Sequence, residues 1–262
     1  MDFETARKIV DRELENYSID RSPGELYEPV KYILALGGKR MRPALAIMAC
    51  SIFTEDVHAA VKPALAYEIF HNFTLLHDDL MDNSGIRRGK ETVHIKWNPN
   101  TAILSGDVMS ILAYEMLCES PQEILPVQLK VFNTTALQVC EGQQLDMNFE
   151  SRTDVSVDEY LKMIELKTAV LIAACLKSGA IAGGASQSES DLLYEFGRNL
   201  GIAFQVRDDY LDVYGDPEVF GKKIGNDILT DKKTFLIIKA LEISEGKTLV
   251  KLREWLEKKE HD

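Results

Sequence analysis

Two aspartate-rich stretches of the same spacing constrain this chain more than anything else in it. His77-Asp78-Asp79-Leu80-Met81-Asp82 is answered 130 residues later by Arg207-Asp208-Asp209-Tyr210-Leu211-Asp212. Both lie in runs whose apolar residues repeat with the helical period. A helix advancing ~100° per residue stacks Asp78 on Asp82, and Asp208 on Asp212, one turn apart on one face, with Asp79 and Asp209 flanking them. One such motif reads equally well as a solvated acidic helix end. Two do not, because opposed acidic faces repel and raise carboxylate pKa values unless cations fill the gap. Mg2+ suits these donors, since it prefers hard oxygen ligands and is held by one or two carboxylates plus substrate phosphates. The first cluster also closes a long apolar helix expected from Asp56 to Asp82, where negative charge opposes the helix dipole. His71 and Thr74 project along the face of Asp78, ~20° and ~40° from it, while His58 and His94 read as structural.

The cations are as localised as the acids. Net charge is −12, which argues against a nucleic-acid surface, since those carry basic stripes. Against that background Lys39, Arg40, Arg42, Arg87, Arg88 and Lys90 cluster beside or before the first acidic motif and read as anion receptors. Gly37 and Gly38 precede the first group and let backbone approach an anion closely. Cys50, Cys118, Cys140 and Cys175 form no CxxC and read as buried thiols in a reducing compartment. With no signal peptide and no apolar run of spanning length, the sequence reads as that of a cytoplasmic protein without a membrane span.

Along the chain, a charged helix is expected over residues 3–17, and Ser22 to Glu25 reads as a capping box opening a helix to Leu36. Another helix opens at Pro43, and residues 83–100 form a loop-rich connector. Ser105-Gly106-Asp107 begins the next helix, followed by one over 122–149 that ends in Gln143, Gln144 and Asp146, at least one facing a polar cavity. Ser156 with Glu159 is a capping box for a helix holding Lys167 and Thr168. The small-residue run at 178–186 signals close packing or a break, and residues 190–214 carry the second acidic motif. No strand pattern competes. The expected fold is all-α, a bundle of long helices around a central cavity, in a single domain over residues 1–262.

GGKRMRP, HDDLMDNSGIRRG, GD at 106–107, GQQLD, KT at 167–168, FQVRDDYLD, GK at 221–222 and KKT at 232–234 resemble, in order and spacing, the trans-isoprenyl diphosphate synthases, or polyprenyl synthetase family. The resemblance spans about residues 20–240. It implies condensation of isopentenyl diphosphate with an allylic diphosphate and an all-trans product of fifteen to twenty carbons, with twenty favoured. The allylic diphosphate is then held through three Mg2+ by Asp78, Asp82 and Asp208, within a metal set that includes Asp79, Asp209 and Asp212, and is assisted by Arg87, Lys167 and Lys222. Isopentenyl diphosphate falls to Lys39, Arg42, His71 and Arg88. Thr168 and Gln205 direct dipoles at the developing cation. Phe73, five residues before the first aspartate, with Thr74 beside it, sets chain length, although ideal helix geometry turns Phe73 ~140° from Asp78. The resemblance further implies a homodimer. Family members continue for about sixty residues beyond a point like His261, so the chain reads as a truncated or short member lacking the usual C-terminal helices. Two rivals are a non-catalytic subunit of a heteromeric synthase, which would lose one acidic motif, and a helical metal phosphohydrolase using His77 and Asp78.

Overall fold

The computed structural model describes residues 1–215, 225 and 232–256. It is all-α apart from one two-stranded hairpin. In chain order the elements are α1 (Phe3–Asn16), α2 (Gly24–Ala35), α3 (Met41–Cys50), α4 (His58–Met81), β1 (Ile86–Arg87), β2 (Lys90–Glu91), α5 (Val93–Lys96), α6 (Pro99–Cys118), α7 (Leu125–Glu150), α8 (Val157–Ile164), a π turn (Glu165–Ala169), α9 (Val170–Ala182), α10 (Gln187–Tyr214), α11 (Phe235–Ile243) and α12 (Gly246–Leu256). Packing divides them into two units. The first is Met1–Asn133 with Ala174–Glu195, and the second is Thr134–Ala173 with Phe196–Asp262.

In the first unit α4 is the hub, packed against α6, α3, α1 and α2. Its 24 residues extend ~36 Å. Leu65, Tyr67, Ile69 and Leu76 from α4 bury against Ile47 from α3 and Met109, Leu112 and Met116 from α6. Gly179 lets α9 approach α3 closely, since a Cβ there would stand 1.9 Å from the Ala46 carbonyl oxygen. The small-residue run therefore serves packing, and it also ends the helix, with Gly184 at φ 88°. In the second unit Phe149, Tyr160, Met163, Ile164 and Ile238 form the core.

Several local expectations shift. Helix α2 starts at Gly24 with Pro23 at the N-cap and no side-chain cap bond, so Ser22 lies one residue too early to cap. Helix α6 starts at Pro99, not near Ser105, because the Asn98 side chain caps Thr101 N–H and Pro99 occupies the first turn. Ser105 is thus a buried mid-helix residue whose hydroxyl donates to Leu26 O at 2.9 Å. The connector holds a hairpin, with Arg88 (φ 52°) and Gly89 (φ 75°) as its two-residue turn, a primed geometry that needs positive φ at both positions. Ser156 and Glu159 form the expected reciprocal box. Cys50 and Cys175 are buried, but Cys118 and Cys140 are exposed. Helix α6 is long and apolar enough to cross a membrane by composition, yet its inner face packs on α2 and α4.

Candidate active site

The first acidic motif occupies the last turn of α4, with Asp82 as its C-cap. Its three carboxylates are not equivalent. Asp79 is buried and receives Arg87 bidentately, Nη2 at 2.6 Å and Nε at 2.9 Å. Burial raises its pKa against the pull of Arg87. The Arg87 Nη2 lies 3.7 Å from Asp78 Oδ2. Helix geometry leaves Asp78 and Asp82 one turn apart and flanking the pair. The hairpin that carries Arg87 is itself pinned, as Tyr32 of α2 donates to Glu91 O at 2.8 Å. His77, next to Asp78, is wedged on α6. Its Nε2 sits 3.2 Å from Ile103 O, and Gly106 supplies the space, since a Cβ there would stand 2.2 Å from that nitrogen.

The basic loop meets α4 two turns earlier. Gly37 and Gly38 turn the chain at φ 73° and 142°, and the Arg88 guanidinium donates to Gly37 O. Arg42 Nη1 lies 3.0 Å from His71 Nε2. A guanidinium only donates, so His71 accepts at Nε2 and carries its proton on Nδ1. Burial, then the Arg42, Arg88, Arg87 and Arg40 charges, hold its pKa well below the usual 6.5. Lys39 is exposed. Arg40 is not a receptor. It is buried and faces Glu68 at 2.6 Å, because the left-handed backbone at this residue (φ 48°) turns its side chain inward.

The depressed His71 value has a consequence for stability. The unfolded imidazole binds a proton near 6.5 and the folded one only well below that, so the unfolded state gains protons first as the pH falls. This contribution is complete above about pH 6.5 and is lost on acidification, by up to roughly 1.4 kcal/mol per pH unit for one proton. His71→Gln should flatten that part of the profile in denaturant unfolding between about pH 5 and 7.5.

In the second unit the second motif is buried at two of its three aspartates, Asp209 and Asp212, with Asp208 the more open one. Asp209 is buried, accepts from Tyr160 Oη at 2.5 Å, from Gln205 Nε2 at 3.0 Å and from Phe235 N–H at 3.4 Å. Burial raises its pKa against those donors. Asp208 and Asp212 flank it on α10. Gln205 also accepts from the Thr168 hydroxyl at 3.2 Å. Lys167 Nζ is 2.5 Å from Asp146 Oδ2, which accounts for the polar end of α7, where Gln144 bonds Asn148. Lys167 and Thr168 belong to the π turn. Lys222 lies outside the described residues.

Phe73 is partly buried, its ring 5.3 Å from Phe70 and 4.8 Å from His77. The Thr74 hydroxyl donates to His71 O at 2.8 Å. Among the described residues no group of three or more His, Cys, Asp or Glu side chains is gathered tightly enough to hold a metal unaided.

Sequence reading had no signal for Tyr160 or for the close approach of Gly142 and Gly201 to the backbone of the π turn, and only one for the Arg40–Glu68 pair. A lone acid, Glu68, inside the apolar stretch of α4 was the one available clue to that pair.

The polyprenyl synthetase family model matches residues 23–262. A geranylgeranyl diphosphate synthase from Methanosarcina mazei is 45% identical over 222 residues, covering 84% of this chain and 68% of that protein. A crystal structure of a geranylgeranyl pyrophosphate synthase matches with TM-score 0.93 at 48% identity, over 98% of this chain and 78% of that one. A polyprenyl synthase from Caulobacter crescentus, complexed with calcium and isoprenyl diphosphate, matches with TM-score 0.83 at 29% identity, over 97% and 81%. On the family match over most of its length and the identity to these relatives, the chain belongs to the polyprenyl synthetase family, the trans-isoprenyl diphosphate synthases.

Proposed function

We propose that this chain is a trans-prenyltransferase that joins isopentenyl diphosphate to an allylic diphosphate and releases an all-trans product of fifteen to twenty carbons, with twenty favoured. The observation that carries the reading is the presence, within one unit, of the Asp78 and Asp82 carboxylates at the end of α4, the Arg42–His71 contact earlier along it and the Arg88–Gly37 contact. The carboxylates suit a metal-bound diphosphate and the arginines a bare one.

Asp78 and Asp82, with Asp208 from the second motif, are assigned to Mg2+, three ions per site. Asp79 and Asp209 act by holding Arg87 and the Tyr160–Gln205 pair. Asp212 completes the second set. When bound, the cation would supply Lewis-acid charge to the departing diphosphate, and the Caulobacter crescentus polyprenyl synthase is complexed with calcium, another hard dication. Arg87, Lys167 and Lys222 take diphosphate oxygens as charge-assisted donors. The allylic C–O bond breaks with its electron pair leaving on diphosphate, and the isopentenyl double bond supplies the pair for the new C–C bond. The proton then lost from the adduct passes to a diphosphate oxygen. Thr168 and Gln205 direct dipoles at the allylic carbon, preorganised by their mutual bond. Lys39, Arg42, His71 and Arg88 orient isopentenyl diphosphate.

Labelled isopentenyl diphosphate with Mg2+ and dimethylallyl, geranyl or farnesyl diphosphate should give a ladder ending at fifteen or twenty carbons. Phosphate release without elongation would support the hydrolase reading, and inactivity rescued by a partner the subunit reading. Phe73→Ala should extend the ladder by at least one five-carbon unit, since the ring caps the aromatic cluster with Phe70. An unchanged ladder would remove Phe73 as the floor.

A cytoplasmic homodimer belongs to the same reading. Helix α6 exposes Leu104 and Ile111, two turns apart, at 57% and 59%, an apolar stripe that a second copy would cover. Light scattering should give twice the 29.5 kDa chain mass, and Ile111→Arg should return it to one.

A further inference from the structure

Three cations follow Gly37-Gly38, and the middle one is turned away from solvent. Arg40 and Glu68 have side chains only 6% and 3% exposed. The Arg40 Nη1 meets Glu68 Oε1 at 2.6 Å, Nη2 donates to Leu34 O at 2.9 Å, and Nε lies 3.6 Å from Asp11 Oδ1. Glu68 in turn accepts from Asn72 Nδ2 at 3.1 Å, and Asn72 is fully buried. One guanidinium therefore ties a terminal carbonyl of α2 and the flank of α1 to the middle of α4. It does so at the residue where the chain turns from the glycine pair into α3.

Such a pair is a poor source of stability. Two charges withdrawn from water rarely gain more than an apolar pair of equal volume would. What it gives is geometry. Glu68 lies one turn before His71 on α4, and Arg40 lies two residues before Arg42, so the brace fixes the separation across which Arg42 reaches His71 at 3.0 Å. The Gly37 carbonyl that receives Arg88 is on the same loop.

We propose that Arg40 and Glu68 are positioning residues for the isopentenyl diphosphate pocket, an inference that rests on the function proposed above. They touch no substrate and set the loop that does. The test compares wild type with the double variant Arg40→Met/Glu68→Leu, which keeps volume while removing both charges, and with Arg40→Lys, which keeps the charge but loses the forked reach to Leu34 O. Amide exchange over residues 36–45 without ligand should quicken about tenfold in the double variant. The calorimetric Kd for isopentenyl diphosphate without metal, and its KM, should rise about tenfold, with the KM for the allylic substrate within about twofold and the Tm preserved. Arg40→Lys should fall between. Unchanged loop exchange together with unchanged Kd in either folded variant overturns the proposal. A fall in Tm with both substrates weakened equally also overturns it, as that marks a merely structural pair. A wild type that binds no isopentenyl diphosphate would instead overturn the proposed function, and the exchange rates would still decide the brace.

Discussion

Asp78→Asn is expected to cut elongation turnover about a thousandfold with the fold intact, whereas Asp79→Asn is expected to cost stability first and turnover second. The two residues are neighbours in sequence, and environment separates them. The Asp78 side chain keeps 21% of its surface and lies 3.7 Å from the Arg87 charge, while Asp79 keeps 3% and binds Arg87 through both oxygens. A carboxylate that holds a cation against a leaving diphosphate acts on the transition state. Losing about 4 kcal/mol of that stabilisation corresponds to the thousandfold fall. Asp79→Asn instead leaves Arg87 facing a neutral amide. Breaking an enclosed ion pair costs about 3–5 kcal/mol, and roughly 2 is expected here because Arg87 retains partial solvation. Asp208 and Asp209 should split the same way, since Asp209 is enclosed by Tyr160 and Gln205. Product formation at saturating substrate and urea unfolding, run on all four variants, separate the roles. Equal losses of turnover at Asp78 and Asp79 without destabilisation would make the whole motif a ligand set and sink the distinction.

That distinction marks where sequence reading stops. Helical period and charge spacing were enough to place Asp78 on Asp82 and Asp208 on Asp212, to end α2 at Gly37-Gly38 and to predict the box at Ser156 and Glu159, because each is decided by residues within one or two turns. Which aspartate of a pair turns inward is decided by Arg87 on a hairpin and by Tyr160 49 residues upstream of Asp209, and local periodicity carries no information about either. Arg40 shows the same limit: in sequence it is one more cation in a basic run, and only the left-handed backbone together with Glu68 makes it internal. The start of α6 was a different kind of miss. Asn98-Pro99 is a strong local signal of a helix start, and the later Ser105-Gly106-Asp107 was read in its place. Gly106 in fact makes room for His77 in mid-helix.

Gly142→Ala should destabilise the protein by about 3 kcal/mol, although alanine in a helix interior normally gains about 1 kcal/mol over glycine. The reversed sign follows from what α7 lies against. A Cβ on Gly142 would stand 2.2 Å from Lys167 N and 2.6 Å from Leu166 C, and one on Gly201 of α10 would stand 2.5 Å from Ala169 Cα. These are backbone atoms of the π turn over Glu165–Ala169, and backbone cannot swing aside as a side chain can. The two glycines thus let α7 and α10 close on that turn, and π turns sit where a helix must present residues off its regular face. Lys167 reaches Asp146 from it, and Thr168 reaches Gln205, which holds Asp209. A shift of about 1 Å in the turn would misaim all of these, so turnover should fall about a hundredfold beyond any loss from unfolding. Calorimetric Tm together with kcat measured well below it tests both parts. A Gly142→Ala chain that melts higher than wild type, as helix propensity alone demands, would show that the close approach does not shape the turn, and the positions of Lys167 and Thr168 would then need another cause.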